Sequence, residues 1–406
     1  MDTKTYTALL RLPKPWYISR IDLDVPKEEA HVFVDHHAGP LACPICGKLS
    51  PVRDHGEERS WRHLDLWQAK TFIHAAMPRT HCAEHGVLTV QVPWAEPHSR
   101  FSAQFEARVI LALQACKTAE GAREIMHISW DEARGIMERA VRRGLDRRVP
   151  EVMPHLAADE KSYRAGRHFV TVLMDLDRGV VHGTSPDNGQ ESLEVLLRAL
   201  SPAQKDGLAA IAMDMHAPFR AAVRAVFPEP GPAVVHDRFH IVMHMNEALK
   251  AVRREEAQEL AREGRQDLEG TMQMLCYGRE NLPKKYHASF ARFKRSELRT
   301  ATVHAQKEML RRLWDCRTTK EARRYFKDWA KWCRKTAALP VNRVVDMIES
   351  RLDDVISYCK HPISTGPLEG MNSIIMAIRR AGRGYRSAET FGMAIMFFCG
   401  GLNLMP

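Results

Sequence analysis

Apolar and polar positions follow different periods in successive regions of the chain. Between Cys46 and Cys82 the pattern is strand-like and basic, with Arg59, Trp61, Arg62, Trp67 and Lys70. From Phe105 to Arg148 it becomes helical, in the segments FEARVILALQAC, AEGAREIMHI and SWDEARGIMERAVRRGL. The last two predict a helix-turn-helix, with Ser129 as N-cap and Trp130 to Arg143 as the second helix; Asp131 and Glu132 in its first turn favour the helix dipole. After Pro150 and Pro154 the pattern changes to strands: His155 to Glu160, then Gly166 to Asp175 and Gly179 to Gly183 as hairpin partners turning at Asp177-Arg178-Gly179. A helix from Ser192 to Leu200 precedes an apolar strand, Leu208 to Met215, that carries Asp214 near its end. Val234 and Val235 predict a further strand ending near Asp237. In the later helical region Tyr325, Phe326, Trp329 and Trp332 recur at spacings of 3 to 4, a core stripe with a solvated basic back. The tail FGMAIMFFCGGLNL is short and broken by Gly, which predicts a packed core helix rather than a membrane span.

Charge adds a second layer. The 406 residues include 60 Lys+Arg and 50 Asp+Glu, a net of +10. Residues 279–335 alone hold 18 Lys+Arg and 6 Asp+Glu, a net of +12 that leaves the remainder at −2. Clustered cations of this kind release counterions from nucleic acid, so the stretch predicts a nucleic-acid surface. Hydrophobic residues at 45% and charged residues at 27% exclude a disordered chain, and the length allows two or three domains. The start of the chain lacks a basic region followed by a sustained apolar core, and of nine Cys only Cys43 and Cys46 form a tight pair. A reduced, cytoplasmic protein without membrane partners is expected.

The first chemical motif is Cys43-Pro-Ile-Cys46-Gly47, followed after 35 residues by Cys82-Ala-Glu-His85-Gly86. Two Cys-x2-ligand knuckles, each closed by Gly, offer the four ligands that tetrahedral Zn(II) requires, with the flanking His81 as another choice for the fourth. A closed four-ligand site has no open position for substrate, so structural Zn(II) in a zinc ribbon is expected. Arg139, Arg142 and Arg143, with Arg147 and Arg148, end the second helix of the helix-turn-helix and are expected on DNA phosphates.

The second motif is made of carboxylates. Asp159 and Asp214 both fall at the carboxyl ends of apolar strands, where an α/β sheet builds its site. Carboxylates ending adjacent strands can hold divalent metals about 3.5 to 4 Å apart for phosphodiester chemistry. Glu369 is the candidate third member, in the first turn of a helix opened by Pro367, with Asn372 on the same face. Arg379, Arg380, Arg383 and Arg386 follow without acidic opposition and are expected along bound DNA. Glu160, Asp175 and Asp177 are alternative carboxylates, read as turn or surface residues. Asp237 and His240 are expected to line the pocket or contact DNA, since a strand ending at Asp237 would break the helical register of His236, His240 and His244.

These features together, with Asp237-Arg-Phe-His240 and the terminal Thr365-Gly-Pro-Leu-Glu369-Gly-Met-Asn372 followed by Gly384-Tyr385-Arg386, resemble the ISL-three family of bacterial insertion-sequence transposases over roughly residues 40 to 400. The resemblance implies a multidomain α+β chain: an N-terminal zinc-ribbon domain (1–100), a helix-turn-helix (101–150), and an RNase H-like α/β catalytic domain of the DDE type (151–245 and 361–406) interrupted by a basic helical insertion (246–360). It also implies that Asp159, Asp214 and Glu369 hold Mg(II) or Mn(II), cut double-stranded DNA at transposon ends and join the freed 3′-hydroxyl to target DNA. The spacings fit, at 214 − 159 = 55 and 369 − 214 = 155. Met376 departs from the family, whose members often carry Lys there on the Glu-bearing helix. Tyr385 lies between Arg383 and Arg386, yet it belongs to the family's Gly-Tyr-Arg element and is not read as a nucleophile. Pairing two ends implies a homodimer or higher oligomer. The competing classes are a DNA-binding regulator derived from such an enzyme, and a stand-alone metal-dependent nuclease.

Overall fold

The computed structural model describes residues 3–10, 12–336, 338–363 and 366–406. Ser364 and Thr365 of the terminal motif lie outside the described residues. The chain divides into two compact units: residues 1–148 with 381–383 and 401–406, and residues 149–380 with 384–400.

In the first unit a short helix α1 (Thr3–Leu9) precedes β1 (Trp16–Asp24) and β2 (Glu29–His36). The pair β3 (Leu41–Ala42) and β4 (Leu49–Ser50) brackets the first Cys knuckle. A long hairpin follows, β5 (Val52–Leu66) and β6 (Ala69–Cys82), and then β7 (Gly86–Thr89). The sheet order is β1-β2-β6-β5 with β7 on β6, and all pairs are antiparallel except β2 with β6. Alternation along β6 buries Ile73, Ala75 and Met77 on one face, where they meet Trp16, Trp61 and Trp94. The three indoles pack edge to face, with Trp94 5.1 Å from Trp16 and 5.5 Å from Trp61.

Three helices complete this unit: α2 (Ala103–Cys116), α3 (Ala119–Met126) and α4 (Trp130–Asp146). Each begins at a hydroxyl N-cap, Ser102, Thr118 and Ser129, whose side chain accepts from the backbone N–H three residues on. Ser129 and Glu132 form the full reciprocal capping box. The break between α3 and α4 is set by His127, held in the left-handed region at φ 50.

In the second unit, β8 (His155–Ser162), β9 (Phe169–Asp175) and β10 (Val180–Pro186) form an antiparallel meander. After α5 (Gln190–Arg198) and α6 (Pro202–Asp206), β11 (Ala210–Met213) returns beside β8 in parallel. Then α7 (Ala217–Val226) leads to β12 (Ala233–His236), parallel to β11. The order β10-β9-β8-β11-β12, antiparallel on one side of β8 and parallel on the other, is the RNase H-like sheet. Its strand β11 (AIAM) is apolar and buried at every position, as expected of a parallel strand covered on both faces. Leu156, Ala158, Leu173, Ile211 and Met213 pack with Leu193, Leu197, Phe219 and Val223 of the helices.

A 25-residue helix, α8 (Arg238–Arg262), leads out of this sheet. It carries the helical block α9 (Met272–Cys276), α10 (His287–Lys294), α11 (Arg299–Leu310), α12 (Thr319–Lys335), α13 (Leu339–Glu349) and α14 (Leu352–Ile356). This block has its own core, starting at Ile241 and including Phe326 and Trp329. The expected aromatic stripe on α12 thus faces inward, while Lys320, Arg324, Lys327, Lys331 and Lys335 stay exposed. The chain then returns through α15 (Gly366–Ala381) and α16 (Ala388–Cys399). The apolar tail forms α16, buried at Phe391, Ala394, Ile395 and Phe397. Among the described residues no helix is long and apolar enough to cross a membrane.

Candidate functional site

The two knuckles converge because β6 ends at Cys82, and the tight turn to β7 pairs Cys82 with Gly86. Gly47 and Gly86 both lie at φ +72, a left-handed conformation that closes each turn and that side chains disfavour. The ligand atoms of Cys43, Cys46, Cys82 and His85 all fall within 4.8 Å of one another. Individual separations are 3.8 Å between Cys46 and Cys82 Sγ, 3.9 Å from Cys43 Sγ to His85 Nδ1, and 3.6 Å from Cys82 Sγ to His85 Nδ1. Zn–S bonds of about 2.3 Å give a tetrahedral edge of about 3.8 Å, so the donor set fits that ion. Backbone N–H of Glu84, the His85 side chain and backbone N–H of His85 hold the Cys82 thiol down at about 6, towards the thiolate a metal takes. His81 is exposed and does not join the group.

The helix-turn-helix forms as expected, but of the arginines expected on DNA Arg143 is buried and Arg139 half-buried, both turned to a carboxylate. Glu106, buried on α2, accepts from Arg139 Nε at 2.9 Å, from Arg143 Nη2 at 3.2 Å and from Ser99 Oγ at 2.8 Å. Arg143 also donates to Glu96 Oε1 at 2.6 Å and to the Leu404 carbonyl at 2.5 Å. An isolated carboxylate is costly to bury, and these two guanidinium groups neutralise it. Arg139 and Arg143 are therefore packing groups, and Arg147 is occupied by the Met405 carbonyl. Arg142 is exposed, as are Trp130, Asp131, Arg134 and Glu138 on the same helix.

At the sheet, the parallel pairing of β8 with β11 ends at Ala158 and Met213, so Asp159, within β8, and Asp214, just after β11, follow one residue later side by side. Asp159 Oδ2 accepts from Lys161 Nζ at 2.6 Å and from Asn372 Nδ2 at 2.8 Å. The second bond docks α15 on β8, with Glu369 three residues earlier in its first turn. Glu369 is exposed there and lines a cleft of about 1080 Å³ with Arg238, Phe239, Lys294 and Arg312.

Among the described residues, the carboxylates and imidazole close enough to share one ion are Glu160, Asp214 and His216, within 4.8 Å of one another. Asp159 and Glu369 are not in that group. Asp159 Oδ2 is engaged instead by Lys161 and Asn372, and Glu369 lines the cleft. Glu160, expected in a turn or on the surface, instead lies within β8, paired with Thr171 of β9. Burial, then the neighbouring Asp214, raises its pKa above the usual carboxylate value.

Asp237 caps α8, its Oδ1 accepting from Phe239 N–H at 2.8 Å, while His240 Nδ1 lies 3.0 Å from its Oδ2. That bond raises the His240 pKa against the opposing effect of burial, and Asp237, Asp214 and Asp159 add through space. His236 ends β12, so the register it would have shared with His240 and His244 is broken where the sequence predicted. Arg380, Arg383 and Arg386 are exposed and Arg379 is half-buried.

An RNase H-like sheet with a carboxylate on its first strand beside another just after its fourth, in a chain with a Cys/His ribbon and a helix-turn-helix, defines a DNA-processing enzyme. Residues 156–395 match the ISL3 family model described as transposase. Residues 39–85 match the zinc-finger of the transposases IS204/IS1001/IS1096/IS1165, and residues 90–141 the helix-turn-helix domain of transposase family ISL3. The transposase for insertion sequence element IS1001 of Bordetella parapertussis is 22% identical over 374 residues, 91% of each chain. The transposase for insertion sequence element IS1557 of Mycobacterium tuberculosis, in strains CDC 1551 / Oshkosh and ATCC 25618 / H37Rv, is 26% identical over 442 residues, covering 100% of this chain and 97% of the relative. The chain belongs to the ISL3 family of insertion-sequence transposases, whose process is DNA transposition.

Proposed function

We propose that this transposase cuts double-stranded DNA at insertion-sequence ends and transfers the freed 3′-hydroxyl into target DNA, with Asp159, Asp214 and Glu369 as its catalytic carboxylates. The observation that carries this reading is the Asn372 to Asp159 bond at 2.8 Å, which docks the Glu369 helix against the strand that neighbours Asp214. The three carboxylates offer hard oxygen donors, and Glu160 Oε2 beside Asp214 is buried without a hydrogen-bond partner, so the rim fits Mg(II) or Mn(II). Divalent ions held there supply Lewis acidity at phosphorus and a water of lowered pKa. Lys161 and Asn372 fix Asp159, and His240, favoured in its charged form by Asp237, offers a cation to a phosphate oxygen. In hydrolysis a water oxygen forms a new P–O bond as the bond from phosphorus to the 3′ oxygen breaks, leaving a 5′-phosphate and a 3′-hydroxyl. That hydroxyl then attacks a target phosphodiester, exchanging one P–O bond for another without a covalent protein intermediate.

In the same reading, Cys43, Cys46, Cys82 and His85 hold a structural Zn(II). Arg142 of α4, Arg379, Arg380, Arg383 and Arg386 after the Glu369 turn, and the exposed lysines of α12 contact DNA phosphates, and a homodimer or larger assembly pairs two ends. The test is cleavage of DNA carrying the gene's own flanking sequences. The wild type should cut with Mg(II) or Mn(II), whereas Glu369→Gln and Asp159→Asn should bind the same DNA with unchanged affinity and not cut it. Cutting by both variants would remove these residues from the reaction.

A further inference from the structure

Glu160 and His216 each stand beside a residue already assigned to metal. Glu160 follows Asp159 on β8, and His216 comes two residues after Asp214 as the N-cap of α7. The backbone N–H of His216 donates to Asp214 Oδ1 at 2.9 Å, and its ring packs on Phe219 with centroids 4.8 Å apart. The imidazole is thus anchored from both ends of the turn. Nδ1 of His216 and Oε2 of Glu160 lie 3.6 Å apart, too far for a hydrogen bond. Both atoms are buried without a hydrogen-bond partner. Bonds of about 2.0 to 2.2 Å from one ion reach donors up to about 4.4 Å apart, close to the spread of this group.

We propose that Glu160, Asp214 and His216 form a mixed carboxylate and imidazole ion site at the rim. This rests on the reading of Asp214 as a metal-holding carboxylate and extends it to two residues outside the expected triad. An imidazole nitrogen is a borderline donor, which Mn(II) and Co(II) accept more readily than Mg(II) does. His216 therefore sets which divalent ion the enzyme prefers.

The experiment uses the full chain with its ribbon loaded with Zn(II), titrated with Mn(II) or Mg(II) alone. Pulsed electron paramagnetic resonance reads ¹⁴N coupling from a directly bound imidazole, and calorimetry reads affinity. In the wild type, bound Mn(II) should show nitrogen coupling. His216→Asn should abolish it, weaken Mn(II) about tenfold or more, and change Mg(II) by much less. Glu160→Gln should weaken both ions. Absence of nitrogen coupling in the wild type overturns the proposal whatever the variants do, as does coupling that persists in His216→Asn. Asp214→Asn separates the two readings. If it abolishes Mn(II) binding while His216→Asn leaves affinity and spectrum unchanged, the carboxylate site stands and the histidine falls; if binding and coupling survive in Asp214→Asn, the carboxylate reading itself falls.

Discussion

Replacing Glu106 by Ala should loosen the helix-turn-helix without first touching DNA. Its side chain is 1% exposed and answers two guanidinium groups, of which Arg143 is itself only 7% exposed and Arg139 is 24% exposed. Removing one partner of a buried ion group costs about 3 to 5 kcal/mol, because the other charge stays behind unpaired. Arg143 keeps Glu96 and the Leu404 carbonyl, and Arg139 reaches partly into solvent, so the lower figure applies. About 3 kcal/mol is roughly a hundredfold in an opening equilibrium. Hydrogen exchange of the amides in residues 130–146 should accelerate by about that factor in Glu106→Ala, and by less in Glu106→Gln, which keeps the hydrogen-bonding shape. DNA binding measured against salt provides the control. Arg139→Gln should leave the slope of log affinity on log salt unchanged, whereas Arg142→Gln should reduce it by about 0.9 for the one lost phosphate contact. Unchanged exchange in Glu106→Ala, together with a shallower salt slope in Arg139→Gln, would refute the packing role and restore both arginines to the DNA surface.

Other outcomes follow from the same geometry. Chelation of zinc, or Cys46→Ser, should unfold the segment from residue 41 to residue 89 and release one equivalent of Zn(II), read by a chromogenic chelator alongside circular dichroism; release without loss of structure would count against a structural ion. His304 is wedged against Phe290 and Phe293, and burial, with Lys307 and Lys294 adding, pushes its pKa down to about 3. The unfolded imidazole binds a proton below about 6.5 that the folded one rejects, so this contribution is complete above about pH 6.5 and is lost as pH falls towards 3. Thermal unfolding should show that decline, and His304→Leu should flatten it; a variant with the wild-type pH profile would contradict the assignment. Lys161→Met should free Asp159 Oδ2 of its cation and alter the metal concentration needed for half-maximal cleavage, with no change in DNA affinity.

What the sequence disclosed was mostly local. The knuckles could be read because Cys-x2-Cys-Gly and Cys-x2-His-Gly each fix their own turn, and only one pairing of knuckles was available. Asp214 could be placed because the apolar run of β11 ends abruptly before it, and Asp159 because it is the first charged residue after the apolar start of β8, although that strand runs on to Ser162. What the spacing does not encode is direction. A run of arginines at the end of α4 reads as a phosphate surface until α2 packs against it, and the signal missed was Glu106, a lone carboxylate inside the apolar segment FEARVILALQAC. Glu160 reads from the sequence as a turn or surface carboxylate, yet β8 continues to Ser162 and carries it to the rim. His216 had no signal, since its place depends on the turn after β11. The parallel pairing of β2 with β6 was also hidden, as the first knuckle and β5 separate the two strands in sequence.

The central claim is that the carboxylate rim performs the chemistry, and Asp214 tests it most directly, ending the strand between β8 and β12 and belonging to both the expected triad and the observed group. DNA bearing the gene's flanking ends would be incubated with wild type or Asp214→Asn, at equal zinc content, with Mg(II) or Mn(II), and scored for cut ends and for joined products. Cleavage and joining by the wild type, with binding but neither reaction by the variant, is the predicted result. Products formed equally by both proteins would contradict the account.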